Sequence, residues 1–430
     1  MEFSLLPGGT ICGEARVPGD KSISHRSIML GSLSEGVTRV SGFLEGDDAL
    51  ATLAAFRAMG VTIERPAEGE VVIHGVGLHG LRAPSGPIDL GNSGTSIRLM
   101  SGLLAGQDFD SVLTGDASLC GRPMGRVITP LQQMGADICG DEAGRPPLTI
   151  KGNKALHGIH YALPMASAQV KSCVLLAGLY AQGKTTVTEP ATTRDHTERM
   201  LAWLGAPVRR EGYVTTVEGP AGFKARTIDV PGDISGAAAW LVAGALHPDA
   251  HIVIEEVGLN PSRTGIIDVL RDMGADIKVA SDGPTEWCPE PVGTITVSGG
   301  QPLRAINLAG DRVADVIDEL PLIAMAMAAA EGVSTVSGAR ELRVKESDRI
   351  ERVVEGLRAI GANAEEREDG WVVSRGSPQD AAVRTDGDHR IAMSFAVAAL
   401  TGVAGTVEID DPACAAVSYP TFWTDMEHLA

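Results

Sequence analysis

The sequence has few aromatic residues and no long apolar run, and both absences exclude classes of protein. Phe, Trp and Tyr make up 4% of the 430 residues, whereas hydrophobic residues make up 44%. Ala, Val, Leu and Ile must therefore build most of the core. The longest apolar stretches, near residues 237–246 and 320–330, are too short to span a bilayer. The N-terminus also lacks the basic start and apolar centre of a signal peptide. We expect a soluble, cytoplasmic protein with no membrane partner.

Cysteine is scarce as well. The six cysteines show neither paired nor zinc-type spacing, which is typical of reduced thiols in a cytosolic protein; they are Cys12, Cys120, Cys139, Cys173, Cys288 and Cys414. His157 and His160 form an H-x-x-H pair, but no carboxylate or cysteine beside them completes a metal site. We therefore predict neither a metal nor any other cofactor.

Positive charge is in deficit. The chain has 36 Lys and Arg residues against 55 Asp and Glu residues, and its formal net charge is −19. This balance argues against a general nucleic-acid or membrane-surface binder. A site for an anionic ligand would have to be a local basic pocket, assembled from positions scattered along the chain. The length suggests two or three domains.

One tetrapeptide occurs twice, half a chain length apart. Val-Pro-Gly-Asp occupies residues 17–20 and again residues 230–233. The first copy runs into Lys21, Ser22, Ser24, His25 and Arg26, which are anion-binding types. The second copy runs into Ile-Ser-Gly-Ala-Ala, which carries no cation. This pattern indicates a duplicated scaffold in which only one copy carries positive charge.

A second repeat joins an amphipathic helix to a glycine and a short strand. Five segments have this ending, namely residues 56–60, 131–135, 201–205, 270–274 and 357–361. Helical spacing of apolar residues is clearest in residues 349–360, and Gly361 is predicted to supply a left-handed cap. Residues 422–429 are predicted to form a sixth helix. A unit of about 70 residues repeated six times favours an α/β protein with three units in each half.

Several charged motifs lie where a turn leads into a predicted helix. Free backbone N–H groups and the positive end of the helix dipole favour anions at such places. Each motif alone also fits a capped surface helix or a turn; the motifs are residues 21–26, 91–98, 121–126, 167–171, 193–198, 342–349 and 386–390.

Two of these motifs give more specific predictions. Lys345 and Arg349 are four residues apart, so we expect them to share one helical face with Glu346 beside them. In residues 193–198, Thr-Arg-Asp-His-Thr-Glu reads as a helix cap. A cap accounts for the threonines and Glu198 but leaves Arg194 without a structural reason.

A match to the phosphate-loop pattern is rejected on local structure. Residues 178–185 fit G-x-x-x-x-G-K-[ST] letter for letter. That motif needs a strand before it and a helix after it. Here a predicted helix comes first and a β-branched strand follows, so we predict no ATP or GTP site.

Taken in order, the motifs resemble those of the 5-enolpyruvylshikimate-3-phosphate synthase family. The matching elements are K-S-x-S-H-R, G-N-S-G-T, R-P-M-G-R, S-A-Q, R-V-K-E-S-D-R and D-H-R, and they cover nearly the whole chain. Residues 165–171 and 193–198 resemble the bacterial class II branch. The resemblance implies an α/β fold, the two-lobed inside-out barrel of enolpyruvyl transferases, with six βαβαββ repeats, three per lobe.

The same resemblance implies the division of the chain. Residues 1–20 plus 231–430 would form lobe 1 and residues 21–230 lobe 2, with a hinge near residues 18–21 and 230–233. Substrates would bind in a cleft that closes and excludes water. We expect a monomer whose partners are small molecules and not nucleic acid.

The implied reaction transfers the enolpyruvyl group of phosphoenolpyruvate to the 5-hydroxyl of shikimate 3-phosphate by addition and elimination. Asp318 would be the base, and Glu346 and Lys21 are both candidates for the acid. The implied shikimate 3-phosphate site contains Lys21, Ser22, Arg26, Ser167, Gln169, Arg194, Asp318 and Lys345. The implied phosphoenolpyruvate site contains Lys21, Gly94, Arg122, Gln169, Arg349 and Arg390.

The chain departs from the family pattern at one place. Many members carry a lysine near a C-terminal Ser-Tyr-Pro, where this chain has Val417. The phosphoenolpyruvate pocket would lack that cation, and His389 or Arg390 is the candidate replacement.

Two other hypotheses compete with this one. A UDP-N-acetylglucosamine enolpyruvyl transferase would carry a reactive cysteine where this chain has Ala117, and Cys120 is out of register. A catalytically silent anion-binding protein of the same fold is the second alternative. The joint presence of Asp318, Lys345 and Glu346 argues against it.

Overall fold

The computed structural model describes residues 2–3, 10–152 and 155–430. Contacts between residues divide the chain into two compact units. Unit 1 comprises the described residues up to Pro18 together with Pro231–Pro284 and Pro291–Ala430. Unit 2 comprises Gly19–Val230 and the short segment Thr285–Glu290. No sequence signal had set this short segment apart from its neighbours.

Helices and strands are interspersed along the described residues. The helices are α1 Lys21–Leu33, α2 Asp47–Ala58, α3 Gly94–Leu104, α4 Ala117–Cys120, α5 Gly125–Gln133, α6 Ala168–Gly178, α7 His196–Trp203, α8 Ile234–Leu246, α9 Gly265–Met273, α10 Asp311–Asp315, α11 Leu320–Ala329, α12 Arg349–Ala359, α13 His389–Leu400 and α14 Phe422–Leu429. The strands are β1 Glu2–Phe3, β2 Cys12–Arg16, β3 Glu35–Ser41, β4 Thr62–Glu64, β5 Val71–Val76, β6 Ile88–Asp89, β7 Ser111–Thr114, β8 Ile138–Cys139, β9 Leu148–Ile150, β10 His160–Ala162, β11 Gly183–Thr188, β12 Val208–Glu211, β13 Val214–Gly219, β14 Ile228–Asp229, β15 His251–Gly258, β16 Asp276–Gly283, β17 Val292–Ser298, β18 Asn307–Leu308, β19 Val333–Val336, β20 Asn363–Arg367, β21 Gly370–Ser374, β22 Ala381–Val383 and β23 Val407–Ile409. Two 3₁₀ helices, Arg340–Val344 and Pro412–Val417, lie in unit 1.

The described strands form six small sheets with one shared plan. In unit 2 the strand orders are β14-β3-β5-β4, β6-β7-β9-β8 and β10-β11-β13-β12. In unit 1 they are β16-β17-β15-β2, β18-β19-β21-β20 and β1-β23-β22. In β6-β7-β9-β8, for example, β6 and β7 are parallel and joined through α3, while β8 and β9 form an antiparallel pair. The prediction of six βαβαββ repeats, three per half, is confirmed.

Three repeats are completed by a strand from a distant part of the chain. Strand β2 pairs in parallel with β15, and β14 pairs in parallel with β3. Strand β1 pairs antiparallel with β23. In these three sheets, one strand therefore comes from a part of the chain far from the strands that it pairs with.

The core of each unit is a group of three apolar helices. Helices α8, α11 and α13 contact one another in unit 1, and α3 contacts both α1 and α6 in unit 2. Almost every residue of α8, α11 and α13 is buried, which explains why these helices are rich in alanine. A Cβ atom at Gly102 of α3 would lie 2.2 Å from the carbonyl oxygen of Cys173 in α6, so only glycine permits this close packing.

Several local predictions are confirmed. Helix α12 and helix α14 occupy the predicted positions. The five glycines that end the repeated helices, Gly60, Gly135, Gly205, Gly274 and Gly361, all have positive φ. At the sequence that mimics a phosphate loop, α6 ends at Gly178 and β11 begins at Gly183. A helix precedes a strand there, as the rejection of that motif required.

Among the described residues, no helix combines the length and the apolar character needed to cross a membrane.

Candidate active site

In unit 2 the three inner helices begin at one place. Gln169 in the first turn of α6 accepts a hydrogen bond from Arg98 Nη1 at 2.7 Å and donates to Thr95 Oγ1 of α3 at 3.1 Å. Arg26 of α1 donates to Ser172 Oγ of α6 at 3.1 Å. Three helix N-termini therefore lie side by side. Each is capped by a side-chain oxygen, from Asp20, Ser93 and Ser167 respectively. Several N-terminal dipoles pointing to one region favour a bound anion.

The K-S-x-S-H-R motif forms the first two turns of α1. Lys21 is its first residue, and its Nζ atom lies 2.5 Å from Asp48 Oδ2. Arg26 is buried and donates to Thr197 Oγ1 at 2.7 Å and to the carbonyl oxygen of Ser22 at 2.8 Å. Burial lowers the pKa of Arg26 to about 10, and the nearby charge of Arg194 acts in the same direction. Arg26 therefore remains a cation at neutral pH.

The predicted phosphoenolpyruvate residues of unit 2 adjoin one another. Gly94 is the first residue of α3, and a Cβ atom placed on it would lie 3.0 Å from Arg122 Nη1. The guanidinium of Arg122 donates to Asn92 Oδ1 and, at 3.2 Å, to Ser118 Oγ. Glycine at position 94 therefore leaves room for Arg122 to lie against the start of the helix.

The cap interpretation of residues 193–198 is wrong. Asp195 is the N-cap residue of α7, and its side chain makes no capping hydrogen bond. Glu198 instead lies 2.7 Å from the Nζ atom of Lys171, whose side chain is fully buried. Glu189 lies 2.9 Å from the same atom and accepts a hydrogen bond from Thr193. A buried lysine needs carboxylate partners, and this tertiary requirement replaces the local cap.

Unit 1 repeats the arrangement of three helix starts. Asp233 of the second Val-Pro-Gly-Asp copy accepts a hydrogen bond from Ser235 N at 2.9 Å and caps α8, just as Asp20 caps α1. Asp388 caps α13 through Arg390 N, also at 2.9 Å. Ser235 Oγ donates to Glu319, the N-cap residue of α11. The beginnings of α8, α11 and α13 therefore meet around Ser235.

Asp318 lies among cations at this position. Its Oδ1 atom is 3.2 Å from Arg349 Nη1 and 3.3 Å from Lys345 Nζ. Arg349 also donates to Glu346 at 2.7 Å and to Asp388 at 2.8 Å, and its side chain is 2% exposed. Burial by itself would lower the pKa of Arg349, but the carboxylates of Asp388, Glu346 and Asp318 outweigh it and raise that pKa above its ordinary value.

The predicted helical pairing of Lys345 and Arg349 is wrong. A 3₁₀ helix ends at Val344, Lys345 is extended, and α12 begins only at Arg349 after the N-cap residue Asp348. The two cations therefore do not share a helical face. They meet because each reaches the carboxylate of Asp318.

The structure gathers the predicted site residues into two sets. In unit 2, side-chain contacts or shared helix starts connect Lys21, Ser22, Arg26, Gly94, Arg122, Ser167, Gln169 and Arg194. In unit 1, contacts connect Asp318, Lys345, Glu346 and Arg349, with Arg390 joined to the set through Asp388 and Ser235.

Sequence reasoning missed several residues of these sets. Arg98 and Asp388 lie inside motifs that the sequence had already marked, near the start of α3 and at an N-cap position. Thr197, inside the marked residues 193–198, supports Arg26 across 171 residues of sequence. Asp48, at the start of α2, pairs with Lys21. Of these four residues, Asp48 lies outside the marked motifs and had no local signal.

Six βαβαββ repeats with anion-binding residues at the starts of their inner helices define the enolpyruvyl transferase fold. The crystal structure of the enolpyruvyl transferase NikO from Streptomyces tendae shares this fold. It has a TM-score of 0.75 and 17% identity over 100% of this chain and 96% of that chain.

The family model of EPSP synthase (3-phosphoshikimate 1-carboxyvinyltransferase) matches residues 6–426, and the chain belongs to this family. The 3-phosphoshikimate 1-carboxyvinyltransferase of Methylococcus capsulatus is 56% identical over 98% of this chain and 95% of the relative. The 3-phosphoshikimate 1-carboxyvinyltransferase of Alkalilimnicola ehrlichii is also 56% identical, over 98% of this chain and 94% of the relative. The structure of EPSP synthase from Acinetobacter baumannii has a TM-score of 0.86 and 49% identity over 99% of this chain and 97% of that chain.

Proposed function

We propose the following substrates, products and residue roles. The enzyme transfers the enolpyruvyl group of phosphoenolpyruvate to the 5-hydroxyl of shikimate 3-phosphate, giving 5-enolpyruvylshikimate 3-phosphate and phosphate in the biosynthesis of aromatic amino acids. Family membership over nearly the full chain is the observation that carries this function. Both substrates carry several negative charges, which accounts for two sets of cations in a protein of net charge −19.

The unit 2 set supplies most of the shikimate 3-phosphate site. Arg26 and Arg194 provide two positive charges close to each other, and Ser22 and Ser167 provide hydroxyl groups at helix starts. Guanidinium groups and helix N-termini are well matched to a phosphate group. Gln169 is fixed by Arg98 and Thr95, so its amide is held in one orientation. Lys21, Lys345 and Asp318 complete the site.

For phosphoenolpyruvate, the proposed ligands are Lys21, Gly94, Arg122, Gln169, Arg349 and Arg390. The contact between Arg122 and the start of α3 places a cation beside free backbone N–H groups. This combination suits a phosphate or carboxylate. Val417 ends a 3₁₀ helix and carries no charge, so the arginines and Lys21 must supply the positive charge of this pocket.

Asp318 takes the proton of the 5-hydroxyl when that oxygen attacks phosphoenolpyruvate. Its side chain is 14% exposed, so substrate can reach it. Glu346 and Lys21 are the candidates for protonating the methylene carbon, and their side chains are 28% and 18% exposed. The tetrahedral adduct then loses phosphate from its ketal carbon and a proton from its methyl carbon, which returns to the group that delivered it, and the double bond is restored. A cation beside the leaving phosphate stabilises the charge that develops there.

The alternatives have weaker support. A UDP-N-acetylglucosamine enolpyruvyl transferase needs a reactive cysteine at position 117, where α4 begins with alanine. Cys120 lies at the other end of that helix, and its thiol donates to the carbonyl oxygen of Gly115 at 3.3 Å. A silent anion-binding protein would have no reason to keep Asp318 between two cations.

The direct test is release of phosphate from phosphoenolpyruvate, measured with and without shikimate 3-phosphate. We expect phosphate to appear only when both substrates are present, together with an equal amount of the enolpyruvyl ether detected by mass spectrometry. Phosphate release supported by UDP-N-acetylglucosamine instead, or no release at all, would reject the proposal. We also propose that the enzyme is cytoplasmic and acts as a monomer. Analytical ultracentrifugation of the purified protein tests the oligomeric state.

A further inference from the structure

The second Val-Pro-Gly-Asp turn has a cation that its local sequence does not show. Arg263, from the loop that follows β15, donates through Nη2 to Asp233 Oδ1 at 3.0 Å and to Ser235 Oγ at 2.7 Å. Its side chain is 3% exposed. The loop holds it in place, since Arg263 N donates to the carbonyl oxygen of Asn260 at 2.8 Å. The start of α8 therefore carries a positive charge, brought from 30 residues further along the chain.

Ser235 connects this arginine to two other parts of unit 1. Its hydroxyl accepts from Arg263 and donates to Glu319 Oε1. Its carbonyl oxygen accepts a hydrogen bond from Arg390 Nη1 at 3.2 Å. Glu319 directly follows Asp318 in the chain and begins α11. One serine thus joins Arg263 to the neighbour of the proposed base and to a proposed phosphoenolpyruvate ligand.

The charges of this cluster are balanced and withdrawn from solvent. The exposed fractions are 5% for Asp233, 1% for Glu319, 3% for Arg263 and 8% for Arg390. Arg263 and Asp233 form a buried ion pair, and Ser235 connects Glu319 and Arg390 to it. Removing one cation would leave a buried carboxylate without compensation, and such a group moves toward solvent or rearranges its neighbours. Any such movement would displace Ser235, and with it Glu319 and Arg390, which are hydrogen-bonded to Ser235.

We propose that Arg263 is a positioning residue for the transfer reaction. It fixes the side chain of Ser235, which in turn positions Glu319 and Arg390. Because Asp318 directly precedes Glu319, the backbone that carries Asp318 is positioned as well. This inference rests on the proposed roles of Asp318 and Arg390. A displacement of about 1 Å at a reacting group can cost about 10²-fold in rate.

The test compares four variants of the full chain by steady-state kinetics and by direct titration of each substrate. Arg263→Met removes the positive charge. Arg263→Lys keeps the positive charge but replaces the guanidinium with a single amino group. Ser235→Ala removes the hydroxyl but keeps the carbonyl oxygen that binds Arg390. Arg271→Met is the matched control, because Arg271 lies on neighbouring α9 and its side chain donates to the carbonyl oxygen of Ile277.

We expect Arg263→Met to lower kcat by about 10²-fold and to raise KM for phosphoenolpyruvate more than the dissociation constant of shikimate 3-phosphate, because Asp318 is the one group of the shikimate 3-phosphate site that it displaces. Arg263→Lys should recover part of both losses. Ser235→Ala should lower kcat and leave KM for phosphoenolpyruvate near the wild-type value, because the hydroxyl bonds to Arg263 and Glu319 are lost while the carbonyl oxygen that binds Arg390 is kept. Arg271→Met should match the wild type in all three quantities.

The possible failures can be told apart. If the wild type itself makes no product, the proposed function fails. If the wild type is active and Arg263→Met keeps its kcat and its KM for phosphoenolpyruvate, the positioning role alone is overturned. Equal weakening of both substrates would also overturn it, because a general loss of structure has that signature. If Arg263→Met does not fold, Ser235→Ala decides: a wild-type kcat in that variant rejects the proposal.

Discussion

Asp318 and Arg349 form an ion pair in which Asp318 Oδ1 lies 3.2 Å from Arg349 Nη1. Arg349 is buried and holds two further carboxylates, those of Glu346 and Asp388, on its other nitrogens. One guanidinium therefore sets the relative positions of the proposed base, a proposed acid and the cap of α13.

Asp318→Asn should separate binding from chemistry. The amide keeps the shape of the side chain but cannot act as a base. We expect kcat to fall by about 10²-fold to 10⁴-fold, the usual contribution of general acid–base catalysis, while shikimate 3-phosphate still binds. Rapid-quench turnover and isothermal titration measure the two effects. The control is Asp311→Asn, an exposed carboxylate on α10. A normal rate in Asp318→Asn would remove Asp318 as the base.

Arg122→Ala should weaken one substrate more than the other. Arg122 lies against Gly94 at the start of α3, whereas the proposed shikimate 3-phosphate groups lie on α1, α6 and the residues before α7. Loss of a bidentate charged donor costs about 1.5–3 kcal/mol, so KM for phosphoenolpyruvate should rise by about 10-fold to 100-fold. Arg126→Ala, four residues on in the first turn of α5, is the control. Equal losses for both substrates would contradict the assignment.

Lys171→Met should destabilise unit 2. The lysine is fully buried between Glu189 and Glu198, and the substitution leaves two carboxylates without their cation. Breaking a buried pair in this way costs about 3–5 kcal/mol. Urea unfolding of the wild type and the variant measures the loss. Adding Glu198→Gln to Lys171→Met should restore part of the stability, and no restoration would mean that charge burial is not the cause.

His25 should make the stability depend on pH. Burial holds the pKa of this imidazole well below its ordinary value of 6.5, and the charges of Lys21 and Arg26 act in the same direction. Its Nδ1 atom bonds to Thr52 Oγ1 at 2.7 Å, so the neutral ring is part of the core. Below the ordinary pKa the unfolded chain binds a proton that the folded chain does not. The free energy of unfolding therefore falls with decreasing pH, by about 1.4 kcal/mol per pH unit from this group, until the folded pKa is reached.

A variant isolates the contribution of His25. His25→Asn keeps a side-chain amide near Thr52 but has no proton to gain. The wild-type and variant free energies of unfolding, measured in urea from about pH 7 to about pH 5, should draw closer as the pH falls. Parallel curves would show that His25 does not titrate differently in the two states.

The exposed and the buried cysteines should differ in their rate of reaction with an alkylating agent. Cys12 and Cys139 are exposed, whereas Cys173, Cys288 and Cys414 are buried. Burial raises the pKa of Cys288 and of Cys414 to about 12, and raises that of Cys173 as well. Since the thiolate is the reactive form, iodoacetamide should modify only the exposed pair rapidly in the native protein. Peptide mass spectrometry before and after unfolding in urea checks this, and early labelling of Cys173 would contradict it.

Local sequence signals predicted the helix starts well. The caps at Asp20, Ser93, Ser167 and Asp388 each depend on hydrogen bonds within two or three residues, and so they can be read from neighbouring letters. The spacing of the repeats predicted their number, and the resemblance to a family supplied the βαβαββ order within each repeat and the proposed roles of the side chains. The helix starts and the repeats agree with the structure.

The supporting contacts could not be predicted in the same way. Ser235 meets Glu319 across 84 residues and Arg390 across 155 residues, and these meetings follow from the packing of three inner helices. The prediction for Lys345 failed because a spacing of four residues implies a shared face only inside one helix, and α12 begins after Lys345. Arg263 gave no signal, because its partners are brought close only by the fold.

The pairing of β2 with β15 also bears on synthesis. Arg16 in β2 lies opposite Glu255 in β15, and the two residues are 239 positions apart. Almost all of unit 2 lies between them as one continuous stretch of chain. During translation most of unit 2 can therefore fold before β15, the partner strand of β2, has been synthesised. Domains usually fold as units as they emerge, and closing so long a loop is slow. Until β15 has been made, β2 lacks this partner strand, and an unpaired strand edge favours misfolding.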